Sequence, residues 1–393
     1  MNLEAIRGKV AVIGTGCSKF GENWDKSASD MIIDAVFEAL EDAGMELKDI
    51  EAAWLGTTTT FFTALPLAEI LKLKHIPISR VENACATAMD ALRNAMYSVA
   101  AGVFDRVLVV GVEKLKDMGI SGLPEYWSHP VYGTGATAPG RYALCARRYF
   151  HNNNIDPDKG KEILAKIAVK NHYNGSLAPK AFFRNRIDVE RVLKAPLIAW
   201  PLGLFDCCGN ADGAAATIIC RKDMAKSFRD DYVQIMGNAT VMGPGLGKED
   251  MDHAFDDFPE TAAAAKMAYE QAGITNPRKD LSLVCLHDCF TIAELLEYEG
   301  LGLSPKGQSQ EDVEAGSFEL DGELPINTDG GLKAFGHPVG ATGLRQCYEI
   351  SRQLQGKADL PERQLKDPKI GLSLTQGGHP GWLIPNVTIF AQP

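Results

Sequence analysis

The chain has 393 residues, 45% hydrophobic and 23% charged, with a formal net charge of −11. That length asks for two or three fused units rather than one small core, and acidity spread without runs of like charge argues against nucleic acid as a partner. The N-terminus lacks a secretory signal pattern, no apolar run reaches the roughly 18 residues of a membrane span, and the nine scattered cysteines suit reduced thiols, so the expected location is cytoplasmic, with no membrane contact.

KVAVIGTG (9–16) is a short β-branched run ending in glycine, which predicts a buried strand. ASDMIIDAVFEALEDAG (28–44) has apolar spacings of three and four and closes on glycine, which predicts a helix. EAAWLG (51–56) reads as a strand, ATAMDALRNAMYSVAAG (86–102) as a buried helix, and DRVLVVGVE (105–113) as a strand covered on both faces. The order then recurs: strand 232–239, helix 261–273, strand 282–288, helix 340–354, and strands 369–378 and 382–390. This predicts an α/β protein of duplicated β-α-β-α-β halves, 1–231 and 232–393, each with a mostly parallel sheet. Residues 115–205 mix glycine, proline, aromatic and basic residues without simple periodicity. They read as an inserted loop domain that binds a ligand, or else as a plain structural excursion.

Cys85 stands where VENACATAMDAL turns into a helix. It is either a small packing residue or a nucleophile whose thiolate the helix N-terminus would stabilise. His337, in the glycine-rich GGLKAFGHPVGATG (330–343), has the right basicity to activate a thiol, and the duplication brings its loop toward Cys85. A surface position for His337 is the alternative. His287 and Cys289 lie in CLHDCFTIAEL. If the segment stays extended, Cys285, His287 and Cys289 share one face, and a zinc site is one reading. The other gives His287 a hydrogen bond to a substrate oxygen and makes Cys289 a proton carrier; no metal is expected. GTGCSKFG (14–21) fails the dinucleotide pattern because Lys19 stands where glycine is required.

NACATAMDAL, PGRYALCARRYF, DCCGNADGAAA, HDCFTIAEL, GGLKAFGHPVGATG and LTQGGHPGW, in their order along the chain, resemble the thiolases, and within them the sterol-carrier-protein-2-type branch. The resemblance spans nearly the whole chain. It implies a five-layered α-β-α-β-α fold and coenzyme A as substrate. It makes Cys85 the acylated nucleophile, His337 its activator, and His287 with His337 an oxyanion hole for the CoA enolate. The backbone N–H groups of Cys85 and Gly377 would hold the acyl-enzyme oxygen. One departure matters: the second cysteine that common thiolases carry in a CxG motif is replaced by Thr375-Gln376-Gly377, so Cys289 is expected to take over its acid/base role.

The same resemblance implies acyl-CoA and CoA as partners, a homodimer core, and a small zinc-ribbon/OB-fold subunit of the DUF35 type. Arg184 and Arg186, with Lys180, are candidate contacts for CoA phosphates, or simply solvated surface, and Cys208 is a further cofactor-binding candidate. Tyr126, Trp127, Tyr132, Phe182, Phe183 and Trp200 in the insert, with Phe61 and Phe62, suggest a pocket for an aromatic acyl group, or ordinary packing. Benzoylsuccinyl-CoA is the leading substrate expectation, with acetoacetyl-CoA and sterol side-chain thioesters as alternatives. A β-ketoacyl synthase-like condensing enzyme and a non-catalytic thiolase-like subunit are the rival functions.

Overall fold

The computed structural model describes residues 6–119, 137–245 and 253–393. Continuous apolar runs make β1 (Val10–Cys17), β2 (Ala52–Gly56) and β4 (Arg106–Glu113), while the half-buried β3 (Ile78–Val81) lies at the open edge. β5 (Leu197–Ala199) and β6 (Leu202–Gly203) form a separate hairpin, and β7 (Gly213–Arg221) returns antiparallel between β4 and β1. The second half repeats the plan with β8 (Val233–Thr240), β9 (Leu283–Cys285), β10 (Ile370–His379) and β11 (Trp382–Ala391), where β11 is the reversed strand. A single parallel bridge, Val284 to Ile326, stands where β3 has its counterpart. The halves meet where Val10–Val12 pair antiparallel with Val233–Ile235, giving one nine-stranded order β3-β2-β4-β7-β1-β8-β11-β10-β9, whose first five strands and last four form a first and a second sheet joined at β1 and β8. On this ground we propose 1–231 and 232–393 as the two halves.

Helices complete five layers. On one outside, α1 (Ala28–Ala43) packs Met31, Ile32 and Val36 against Ala11, Ile13 and Ile218. In the middle, Leu92 and Met96 of α2 (Thr87–Ala100) share a core with Leu344 and Ile350 of the later central helix, between Val107 and Ile219 of one sheet and Leu283 and Phe390 of the other. The insert supplies α3 (Ala138–Asn152) and α4 (Pro157–Ser176). These pack with α5 (Pro259–Ala272) and α6 (Thr291–Gly300) over the outer face of the second sheet, through Tyr149, Leu164, Ala268 and Leu295. The central partner of α2 is α7 (Thr342–Leu354). Each fully buried Leu, Ile or Met contributes roughly 1.5–3 kcal/mol, so the middle layer binds the two halves strongly.

Three expectations change here. Each half's sheet is mixed rather than mostly parallel, because β7 and β11 run antiparallel to both of their neighbours. The strand expected over 282–288 stops at Cys285, because Leu286 N–H turns to the Asn327 side chain (2.9 Å) and His287 N–H to Glu297 (2.9 Å). Cys285 then faces the central layer and Cys289 the outer one, so the zinc reading of Cys285, His287 and Cys289 on one face is wrong. The insert also carries two long helices, so it is more regular than a loop domain.

Candidate active site

Cys85 sits one residue before the N-cap of α2, on a turn whose strain is local: Ala84 has φ +48°, a left-handed value that alanine rarely adopts. The turn is clamped from several sides. Asn83 N–H bonds the Thr87 hydroxyl (2.8 Å), its amide bonds Asp90 (2.6 Å), and Ala84 N–H bonds Glu82 (2.7 Å). Behind it runs β10. A Cβ on Gly377 would come 2.6 Å from Asn83 O and 3.3 Å from Cys85 N, so only glycine lets the two backbones touch.

His337 reaches the same point from the other half. Its Nε2 lies 3.2 Å from Cys85 Sγ and its Nδ1 2.7 Å from the Thr342 hydroxyl. That hydroxyl donates its single hydrogen to Pro338 O (3.1 Å). It must therefore accept from His337 Nδ1–H, which leaves Nε2 unprotonated and facing the thiol. The pairing depends on α2 and α7 meeting at their starts: a Cβ on Gly343 would stand 3.0 Å from Met89 N.

His287 completes the group. Its ring centroid is 5.2 Å from that of His337, at 82°, and it is fully buried with neither ring nitrogen hydrogen-bonded among the described residues. An orphaned buried imidazole is costly unless a ligand satisfies it. Cys85 Sγ and one nitrogen from each histidine lie within 4.8 Å of one another. A thiophilic metal ion could use these same donors.

Cys289 is also buried, in one apolar cluster with Tyr142 of α3. The DCCGN segment staples the motif loops together. Cys207 bridges to Phe290, Cys208 N–H bonds Cys289 O (2.9 Å), and His337 N–H bonds Gly209 O (2.8 Å). Asp288 accepts from Leu332 N–H (2.6 Å) and Lys333 N–H (3.0 Å), tying HDCF to the glycine loop.

Electrostatically the resting site is neutral. Burial, and then the charge of Arg345, hold His337 down to about 3; burial with His337 and Arg345 holds His287 well below the usual imidazole range. Burial, then Glu113 and Glu82, push the Cys85 thiol up to about 12. The helix-tip thiolate expected from the sequence is thus corrected: desolvation outweighs the helix N-terminus, and Cys85 rests as a thiol. Burial and the neighbouring Cys208 likewise raise Cys289 far above the ordinary thiol value.

The chain matches the thiolase N-terminal domain model over residues 10–223 and the thiolase C-terminal domain-like model over 248–382. The chain belongs to the thiolase family. It is 38% identical to an acetyl-CoA acetyltransferase of Methanothermobacter thermautotrophicus (95% of this chain, 97% of the relative). It is 31% identical to the benzoylsuccinyl-CoA thiolase subunit BbsB of Thauera aromatica (94% and 95%). The solved Ltp2-ChsH2(DUF35) aldolase, at 24% identity, shares the fold with a TM-score of 0.85 over 99% of both chains. As a member of this family the chain is an acyltransferase.

Other expected residues fall as follows. Gly377 lies against Cys85, and Cys208 against Cys289. Arg184 and Arg186 are exposed on the insert, where Arg186 lies over the Tyr173 ring (4.5 Å) and bonds the Ser176 hydroxyl (3.3 Å). Lys180 is taken up by Glu38 and Cys17 O. Phe182 and Phe183 stack on one another (centroids 4.0 Å apart) and press on Gly209 behind the His337 loop; Trp200 covers Arg147, and Phe62 is 96% exposed. Tyr126, Trp127 and Tyr132 lie outside the described residues. Two residues escaped the sequence reading, Tyr142 and Glu113. A run of four threonines after Gly56 was the available signal for Glu113, whose carboxylate those threonines surround.

Proposed function

We propose that the chain cleaves and forms short 3-oxoacyl-CoA thioesters, acetoacetyl-CoA foremost, through an acyl-enzyme on Cys85. The observation that carries this is the unprotonated His337 Nε2 set 3.2 Å from the Cys85 thiol. As the sulfur attacks the 3-keto carbon, His337 takes its proton. The N–H groups of Cys85 and Gly377 receive the developing oxyanion. The C2–C3 bond then breaks, and His287 with the newly protonated His337 Nε2–H holds the enolate oxygen of the departing acyl-CoA. Cys289 S–H gives its proton to C2. In the second half, CoA loses its thiol proton to the Cys289 thiolate and attacks the thioester; Cys85 sulfur leaves and recovers its proton from His337. Because the resting groups are neutral, each charge arises during reaction and meets a donor already in place.

For the acyl group, the 38% identity to an acetyl-CoA acetyltransferase favours a short chain, and the described insert aromatics buttress loops or face outward. Benzoylsuccinyl-CoA is a second reading, favoured by the 31% identity to BbsB over almost the whole chain. That relative is named as a subunit, which supports looking for a small DUF35-type partner here. The open edge at β3 supports a homodimer. CoA phosphates would be met by Arg184 and Arg186.

The test is thiolysis across a panel of 3-oxoacyl-CoAs, with Cys289→Ala in parallel. Acetoacetyl-CoA is expected to be cleaved fastest, and Cys289→Ala to slow cleavage by at least ~100-fold. Full activity in Cys289→Ala would instead indicate a synthase-like enzyme. No cleavage of any member would remove the thiolytic reading.

A further inference from the structure

Tyr142 comes from the insert, apart from the segments that carry the nucleophile and the histidines. It is 2% exposed, on the helix α3 that the insert lays over the second sheet. Its ring stacks on Phe290 with centroids 4.6 Å apart at 30°, and meets Phe258 edge-on at 6.4 Å. Phe290 follows Cys289 directly, so the stack fixes the phenol relative to that thiol, and the hydroxyl lies close enough to the sulfur to favour its charged form. Phenylalanine would fill the same apolar space. The buried hydroxyl therefore needs its own reason, and buried tyrosine hydroxyls are kept for a partner.

We infer that Tyr142 is a positioning residue for proton transfer: its hydroxyl donates to the Cys289 thiolate that is left whenever the enolate has been protonated. This rests on the acid/base role given to Cys289 above. In that step the Cys289 S–H bond breaks and a C2–H bond forms. The thiolate that remains sits among apolar side chains, and the ionisable groups facing it are Cys208, Tyr142, Glu297 and Cys85. All four would add negative charge if ionised; Cys208, Glu297 and Cys85 act on the sulfur through charge, and the phenol is the one placed to donate to it. Tyr142 keeps its proton on oxygen throughout, and Cys289 is reprotonated by the incoming CoA thiol. Hydrogen bonding to the charged form favours that form, so Tyr142 works against the burial that raises Cys289. The insert thus supplies a working group to the reaction as well as a cover.

Two rates separate this from a structural role. Exchange of the acetyl-CoA methyl protons with D2O needs Cys289 as base, whereas alkylation of Cys85 by iodoacetamide does not involve Cys289. In Tyr142→Phe, which keeps the ring stack, exchange is expected to fall ~10–100-fold, the size of a lost hydrogen bond to a charged group. Cys85 alkylation, followed by peptide mass, is expected to stay within twofold, and the pH at which exchange levels off is expected to move upward. Unchanged exchange in Tyr142→Phe overturns the inference. So does an equal fall in both rates, which would mark the hydroxyl as structural. Cys289→Ala is run beside it: if that variant still exchanges protons, the reading of Cys289 fails, whatever Tyr142→Phe does.

Discussion

Cys85 and His337 hold their proton on sulfur, with the thiol at about 12 and the imidazole at about 3. A preformed thiolate–imidazolium pair would alkylate at a rate that levels off near neutral pH. Here the rate of Cys85 modification by iodoacetamide should rise about tenfold per pH unit from pH 6 to 9, because only the thiolate reacts. A plateau in that range would contradict the neutral resting state. Stability carries the opposite dependence. The folded state refuses a proton at His337 that the unfolded chain accepts below its ordinary value near 6.5, so folding weakens as pH falls from there toward 3. The contribution is about 1.4 kcal/mol per pH unit. Asp288, raised to about 7 by burial and the nearby Glu294, works in the reverse sense over part of the range, gaining stability as pH falls. The His337 share should therefore be read as a difference: between pH 6 and 4, His337→Asn should lose less stability than the wild type in urea titrations.

Between residues and the whole lie the elements that aim them. Glu113, at the end of β4, accepts from the backbone N–H of Thr58, Thr59 and Thr60 (each 2.9 Å) and from Gly340 N–H (3.0 Å). It thereby fastens the loop after β2 to the loop carrying His337. It also raises the Cys85 thiol through its charge. Glu113→Gln should then do two things at once. It should lower stability by about 1–3 kcal/mol for each N–H left without an acceptor. It should also increase Cys85 alkylation at pH 8, on the order of tenfold for each unit by which the thiol falls. A stability loss without that gain would leave Glu113 only a fastening role. Elements of this kind show why legibility varied. β1, β2 and β4 were readable because both faces are buried and the runs are continuously apolar. β3 (ISRV) and β7 (GAAATIICR) were passed over, since one is a half-exposed edge and the other opens on small residues. Cys85, His287, Cys289 and His337 were found by motif, and the geometry places them together or adjoining. Tyr142 was not, because a tyrosine in an amphipathic helix looks like packing until a chain segment 147 residues away folds onto it.

At the scale of the whole molecule, the duplication is more than a repeat of two independent units. The space between the sheets is filled by one helix from each half, and Met96 of α2 needs Leu344 and Ile350 of α7 in the same core. The Cys85–His337 contact obeys the same logic, with the thiol from the first half and the imidazole from the second, 252 residues apart. Arg345, fully buried and paired with Asp329 at 2.6 Å, enters this layer from the second half as well. A chain ending at residue 231 would expose Val107, Ile219, Leu92 and Met96 to water and would leave β1 without β8. Three such uncovered large side chains already amount to roughly 5–9 kcal/mol, comparable to the whole stability of an ordinary domain. Expressed alone, residues 1–231 should therefore lack fixed tertiary structure: weak near-UV circular dichroism, rapid proteolysis, and ready association through the bared layer. Co-expression with 232–393 should restore protease resistance and Cys85 acylation together. An isolated N-terminal half that unfolds cooperatively would mean that each sheet carries its own core and that the shared layer serves only to bring Cys85 to His337.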